Sequence, residues 1–169
     1  MKFSIGDTII YGTQGVCKIL RSEKKDFCGE LKEYLVLEPI YAKNSFVFIP
    51  TDNENLMSKM RQISSYEEIC ELIKNMPDYE TIWEDDENKR KEMYREWMAS
   101  GDRVTLIKGI KSVYLHWKEV TKSGKKLHIA DERFLKDAEK LLYNEFALVL
   151  NINPDQVLPF IMKEIEIKE

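Results

Sequence analysis

Near residue 65 the hydrophobic period of this chain changes from two to about 3.6 residues, and that change restricts the folds open to it. Upstream, apolar and β-branched residues come in short runs: Thr8-Ile9-Ile10-Tyr11, Val16-Cys17-Lys18-Ile19-Leu20, Lys32-Glu33-Tyr34-Leu35-Val36-Leu37 and Ser45-Phe46-Val47-Phe48-Ile49, the last stopped by Pro50. Gly12 to Gly15 and Phe27-Cys28-Gly29-Glu30 read as the turns between them. Four or five short strands within about 60 residues predict a small, strongly bent antiparallel barrel.

Downstream the apolar residues recur at helical spacing. Ser65-Tyr66-Glu67-Glu68 fits a capping box, in which the serine and the second glutamate each satisfy an orphan backbone N–H. Ile69, Leu72, Ile73 and Met76 follow, and Pro77 ends the run. A second helix is expected from about Glu84 to Ala99, before Ser100-Gly101. A third carries Ile107, Ile110, Tyr114 and Trp117 on one face and breaks at Ser123-Gly124-Lys125-Lys126. A fourth starts near Asp131 with Leu135, Ala138, Leu142 and Val149 along a stripe. A fifth opens with Asn153-Pro154-Asp155, and Pro159 within it predicts a kink or a break. The class is α+β: a β-rich domain over 1–62 and an all-α domain over 63–169, joined around residues 51–64.

The glycine pair in Gly12-Thr13-Gln14-Gly15 invites a phosphate-loop reading. Such a loop needs a helix N-terminus facing the anion. Here Val16-Cys17-Lys18-Ile19 continues as strand, so both glycines serve a turn. Hydrophobic residues make up 43% of the chain and charged residues 33%, which predicts a packed core. Cys17, Cys28 and Cys70 have no C-x-x-C spacing, and His116 and His128 lie apart. Reduced, mostly buried thiols and no metal centre are expected. No paired carboxylates, activated nucleophile or cofactor motif stands out, so the chain reads as a non-enzyme without a cofactor or small-molecule substrate. The start lacks a signal-peptide pattern and no apolar run is long enough to span a bilayer, which predicts a cytoplasmic protein with no membrane partner.

The net charge of -4 argues against coating nucleic acid by bulk attraction. The charge is uneven, however: Arg103 to Lys126 holds seven basic residues and a single acidic one, Glu119. A solvated helix face and an anion-binding surface both fit that run.

Phe3-Ser4-Ile5-Gly6-Asp7-Thr8-Ile9-Ile10-Tyr11, then Gly15-Val16, then Glu33-Tyr34-Leu35-Val36-Leu37, resemble the CarD family of bacterial transcription regulators, whose N-terminal module also occurs in transcription-repair coupling factors. The resemblance continues through Met98-Ala99-Ser100-Gly101-Asp102 and through Ala138 to Leu148. It implies a Tudor/SH3-like N-terminal domain that binds the RNA polymerase β subunit at its β1 lobe. It also implies a helical domain that contacts promoter DNA at the upstream edge of the bubble and tunes open-complex stability.

Lys25, Lys32, Glu33, Tyr34, Val36 and Phe48 are the expected polymerase-binding residues, around a loop and a strand edge that could recruit a partner strand. Family members can carry a basic residue where this chain has Phe48, so an apolar contact is expected there. The expected DNA-binding residues are Trp83, Lys89, Arg90, Lys125, Lys126, Arg133 and Lys136. A tryptophan before this helix acts in the family as a minor-groove wedge, and Trp83 matches it in order. The spacing from Trp83 to Ser100-Gly101 is about one helical turn longer than in some members. A hydrophobic staple fixing the helix entry is the other role open to Trp83; Trp97 and Trp117 read as core. Arg90 is the first choice for a phosphate contact. An adaptor whose helical domain binds another protein, in place of DNA, is the alternative.

Overall fold

The computed structural model describes residues 2–166. The chain divides into two compact units, Met1–Ile63 and Ser64–Glu169.

The first unit is a five-stranded antiparallel sheet. Its strands are β1 (Thr8–Tyr11), β2 (Gly15–Phe27), β3 (Glu30–Pro39), β4 (Val47–Pro50) and β5 (Met60–Gln62), in the order β4-β3-β2-β1-β5. Gly12 and Gly15 both have positive φ at the β1–β2 connection, consistent with a turn there. Residues 51–64, expected as the joint between domains, belong mostly to the sheet unit. Asn53 caps a one-turn helix, α1 (Glu54–Met57), and β5 then pairs with β1. Three residues with one inward side chain, Met60, leave too short an apolar pattern to signal a strand.

β2 is far longer than its alternating segment Val16–Leu20. A two-residue turn, Cys28 and Gly29 both with positive φ, closes the β2–β3 hairpin, and the Gly29 N–H donates to Asp26 Oδ1 at 2.9 Å. The register shifts between Ile19 and Arg21. This bulge reverses the parity of β2, because one residue more on a strand sends the next side chains to the opposite face. Ile19 therefore points with Leu37 into the core, while Arg21, Glu23, Lys25 and Phe27 stand on the opposite face. The core holds Ile9, Tyr11, Cys17, Ile19, Leu35, Leu37, Ile49 and Met60. Cys17 is buried as expected, whereas Cys28 at the hairpin tip is exposed and Cys70 lies between these extremes.

The second unit is helical: α2 (Tyr66–Asn75), α3 (Glu87–Ser100), α4 (Arg103–Lys122), α5 (Ile129–Leu150) and α6 (Val157–Glu166). The capping box at Ser65 and Glu68 is formed at both of its hydrogen bonds. Asp86 and Asp102 cap α3 and α4 through the backbone N–H groups of Lys89 and Thr105. Gly101, Gly124 and Asn151, all with positive φ, follow the ends of α3, α4 and α5. Pro159 lies in the first turn of α6, where a missing N–H removes no intrahelical bond, so the helix runs through it without a break.

One apolar cluster joins Ile69, Ile73, Ile107, Leu142, Phe146, Val157 and Ile161; a second joins Tyr94, Leu106, Val113, Phe134, Ala138 and Leu141. The buried side of α4 is thus Leu106, Ile107, Gly109, Ser112 and Val113. Tyr114 and Trp117, expected on it, are 42% and 43% exposed. Among the described residues no helix is long and apolar enough to cross a membrane.

Candidate functional site

Opposed residues in an antiparallel pair share a face. The pairs Lys25↔Lys32, Glu23↔Tyr34, Arg21↔Val36, Val36↔Phe48 and Tyr34↔Pro50 therefore put Lys25, Lys32, Tyr34, Val36 and Phe48 on one face of the first unit. Phe27 joins them, edge-on to Tyr34 with ring centroids 5.4 Å apart, and the Lys25 ammonium lies 3.9 Å from the Phe48 ring centroid. Glu23 pairs with Arg21 and Lys25, and Lys32 with Glu30 and Asp52. The face is aromatic at its centre and of mixed charge around it. It includes β4, which among the described residues pairs with β3 alone and so forms an edge of the sheet.

Two of the expected partner residues need correction. Val36 is on this face but fully buried, so its side chain is already covered within the unit and offers no exposed surface. Glu33 is opposite Lys24, on the other face, and accepts a hydrogen bond from Ser22 Oγ at 2.6 Å. Phe27 escaped notice because the bulge that turns it to this face leaves no mark in the hydrophobic pattern.

In the second unit the segment Tyr79–Asp86 is fastened along α4 and α3. Lys111 Nζ donates to the carbonyls of Met76, Pro77 and Tyr79 at 3.2, 2.9 and 2.8 Å. Ser112 Oγ accepts from the Ile82 N–H at 2.8 Å and donates to the Lys108 carbonyl. Trp83 stacks on His116, with centroids 3.8 Å apart and planes 19° apart. The Arg90 guanidinium lies 4.5 Å from the Trp83 ring centroid.

Arg90 does not face solvent. Its Nε and Nη2 donate to the two oxygens of Asp131 at 2.7 and 3.0 Å, and its Nη1 donates to the Glu84 carbonyl at 2.9 Å. Tyr94 Oη donates to Asp131 Oδ1 at 2.6 Å. Burial alone would raise the Asp131 carboxyl, but the hydrogen bonds from Arg90 and Tyr94 outweigh it and hold the group below its ordinary value. Arg90, expected as the first phosphate contact, is 4% exposed, with each of its three nitrogens already donating inside the unit. It organises the helix entry, and its burial keeps it from the surface where a phosphate would be met. Asp131, expected near the start of the fourth helix, is the buried counterion that makes this possible.

The remaining basic candidates are exposed. Lys89 lies on α3, Lys125 and Lys126 follow the Gly124 turn, and Arg133 and Lys136 stand one turn apart on α5. Arg133 also lines a shallow groove with Glu87, Lys91 and His128, in which His128 Nδ1 is 3.4 Å from Glu87. The hydrogen bond and charge of Lys91 hold the Glu87 carboxyl below its ordinary value. Three of the four acids at Glu84 to Glu87 thus have local work: Glu84 accepts from the Asp86 N–H, Asp86 caps α3 and Glu87 pairs with Lys91.

Residues 3–64 match the family model described as the CarD-like/TRCF RID domain. The match spans the whole five-stranded sheet and ends before α2.

Proposed function

We propose that this chain, whose N-terminal unit is a CarD-like/TRCF RID domain, is a transcription regulator that docks on the β subunit of RNA polymerase through its β1 lobe. The sheet serves as a Tudor-like docking module. The helical unit contacts promoter DNA at the upstream edge of the bubble and tunes the stability of the open complex. One observation carries the reading: inside the matched region, Lys25, Lys32, Tyr34 and Phe48 share one sheet face beside an edge strand. An edge supplies unpaired backbone groups to a partner strand, and the aromatic face beside it supplies side-chain specificity.

The DNA contact is weak by design of its charges. Lys89, Lys125, Lys126, Arg133 and Lys136 are interspersed with Glu132 and Asp137, so tethering to polymerase supplies the local concentration that free DNA binding lacks. The test is binding of the full chain to an isolated β1-lobe fragment, followed by open-complex lifetime on a promoter. Binding together with a changed lifetime supports the proposal; absence of binding removes it.

A specific observation favours a second reading of the helical unit. Trp83 is stacked on His116 and close to Arg90, as a residue fixing the helix entry would be. In that reading the unit is an adaptor for another protein. Trp83→Ala separates the two: an unchanged open-complex lifetime with intact polymerase binding favours the adaptor, and a lost effect on lifetime in a folded variant favours the wedge.

A further inference from the structure

The second half of α4 leaves its apolar stripe uncovered. Near its start, Leu106 and Ile107 are buried among α2, α3, α5 and α6 residues; about two to three turns on, Tyr114, Leu115 and Trp117 are 42%, 44% and 43% exposed. The Tyr114 and Trp117 rings lie 5.7 Å apart, tilted by 48°, on neighbouring positions of one helix face. Lys118 Nζ sits 4.9 Å from the Tyr114 ring centroid. Lys122 follows one turn later, and Lys125 and Lys126 lie just past the end of the helix, against a single acid, Glu119. Among the described residues none of these four lysines is paired with a carboxylate.

We infer that this face binds single-stranded DNA, with Tyr114 and Trp117 stacking on unpaired bases and Lys118, Lys122, Lys125 and Lys126 meeting the phosphates. Charge complementarity commits the occupant: a positive strip in a chain of net charge -4 selects a polyanion. The aromatic pair selects one with flat rings to offer, since duplex DNA keeps its bases stacked and shows only their edges. Trp83, already stacked on His116, is not the ring available for this. The inference rests on the reading of the helical unit as the DNA-contacting one, and gives that unit a grip on an opened strand.

The test uses the full chain at low salt, titrated against a fluorescein-labelled oligothymidylate of about 12 nucleotides, with an equally long duplex and polyglutamate as competing probes. Four variants accompany the wild type: Tyr114→Ala with Trp117→Ala, Lys118→Gln with Lys122→Gln, Tyr114→Phe alone, and Trp83→Ala. The expected result is binding of the single strand in preference to the duplex. The aromatic double variant loses about tenfold or more, since each stacked base contributes on that scale. The lysine double variant lowers the slope of log affinity against log salt by about 1.4. Tyr114→Phe with wild-type Trp117 keeps the affinity, because it keeps the ring. All the exchanged α4 side chains are exposed, so an unchanged melting temperature certifies the fold of each variant.

Undiminished oligonucleotide binding by the aromatic double variant overturns the inference, as does no binding by the wild type. Competition by polyglutamate as strong as by the oligonucleotide, lost in the same variant, also overturns it and marks the face as one for an acidic protein. A loss confined to Trp83→Ala overturns it while leaving the DNA-contacting unit standing. Polymerase docking is read separately, on the β1-lobe fragment.

Discussion

Arg90 and Asp131, 41 residues apart in sequence, meet through two parallel hydrogen bonds in a place where neither side chain is more than 5% exposed. The pair joins the first turns of α3 and α5 and, through the Glu84 carbonyl, holds the segment carrying Trp83. Removing one member leaves the other buried without its counterpart, which costs about 3–5 kcal/mol. Asp131→Asn is therefore expected to lower the melting temperature of the helical unit by more than about 10 °C. A double replacement, Arg90→Met with Asp131→Leu, is expected to recover much of that loss, since an apolar pair leaves no buried charge. Calorimetry of the three chains decides it; a single variant melting with the wild type would remove the pair from the stability of the unit.

The same carboxylate sets an acid dependence. Its value in the folded chain lies below the ordinary carboxylate value of about 3.9. Between those two values the unfolded chain binds more protons, so stability rises with pH. The contribution is fully present above about pH 4 and is lost as the pH falls through the depressed value. Urea unfolding of wild type and Asp131→Asn at a series of acidic pH values is expected to give a flatter curve for the variant. Parallel curves would assign the acid sensitivity to other carboxylates.

Local pattern made some of this architecture legible. The period change near residue 65, the capping box at Ser65 and the strand Thr8–Tyr11 are all consequences of near neighbours, and the structure has them. What the pattern could not carry was pairing at a distance. The polar run Arg21 to Asp26 has no apolar alternation, yet it extends β2 because β3 lies opposite it. The bulge after Ile19 decides which of its side chains share a face with Phe48, and a bulge leaves no periodic trace.

Helix faces failed in a similar way. The spacing of Ile107, Ile110, Tyr114 and Trp117 is a correct helical stripe, but burial depends on where the covering helices end. Arg90 looked like a phosphate ligand because Asp131 is remote in sequence. No local signal distinguishes an arginine facing solvent from one held by a distant carboxylate. Lys111 and His116, which fasten the Trp83 segment, were hidden for the same reason.

Gly109 gives a test in which the sign is diagnostic. On an open helix surface, glycine to alanine stabilises by about 1 kcal/mol. Here a β-carbon would stand 2.8 Å from Phe134 Cζ and 2.9 Å from Trp97 Cε3, contacts that require something to shift. Phe134 is only 4% exposed and stacks on Tyr94, so it has little room to yield. Overpacking of this kind costs about 1–3 kcal/mol, which exceeds the gain in helix propensity. Gly109→Ala is expected to lower the urea midpoint; a raised midpoint would mean that the junction of α3, α4 and α5 relaxes freely.

On the sheet unit, Val36 and Phe48 are directly opposed on one face but differ in what surrounds them. Val36 is 0% exposed and Phe48 is 36% exposed. Val36→Ala removes buried methyl groups and is expected to cost about 1–3 kcal/mol of stability. Phe48→Ala gives up the covered part of a ring that is 36% exposed, and it also removes the apolar surface a partner would cover and the ring beneath the Lys25 ammonium. In a binding assay against the β1-lobe fragment, Phe48→Ala is expected to weaken affinity at least about tenfold, while Val36→Ala, below its melting temperature, binds like the wild type. The opposite split, with Val36→Ala deficient in binding and Phe48→Ala normal, would move the docking surface to another face of the sheet. Glu33→Gln supplies the internal control: its side chain projects from the other face and bonds Ser22, so it should leave the docking affinity where it was.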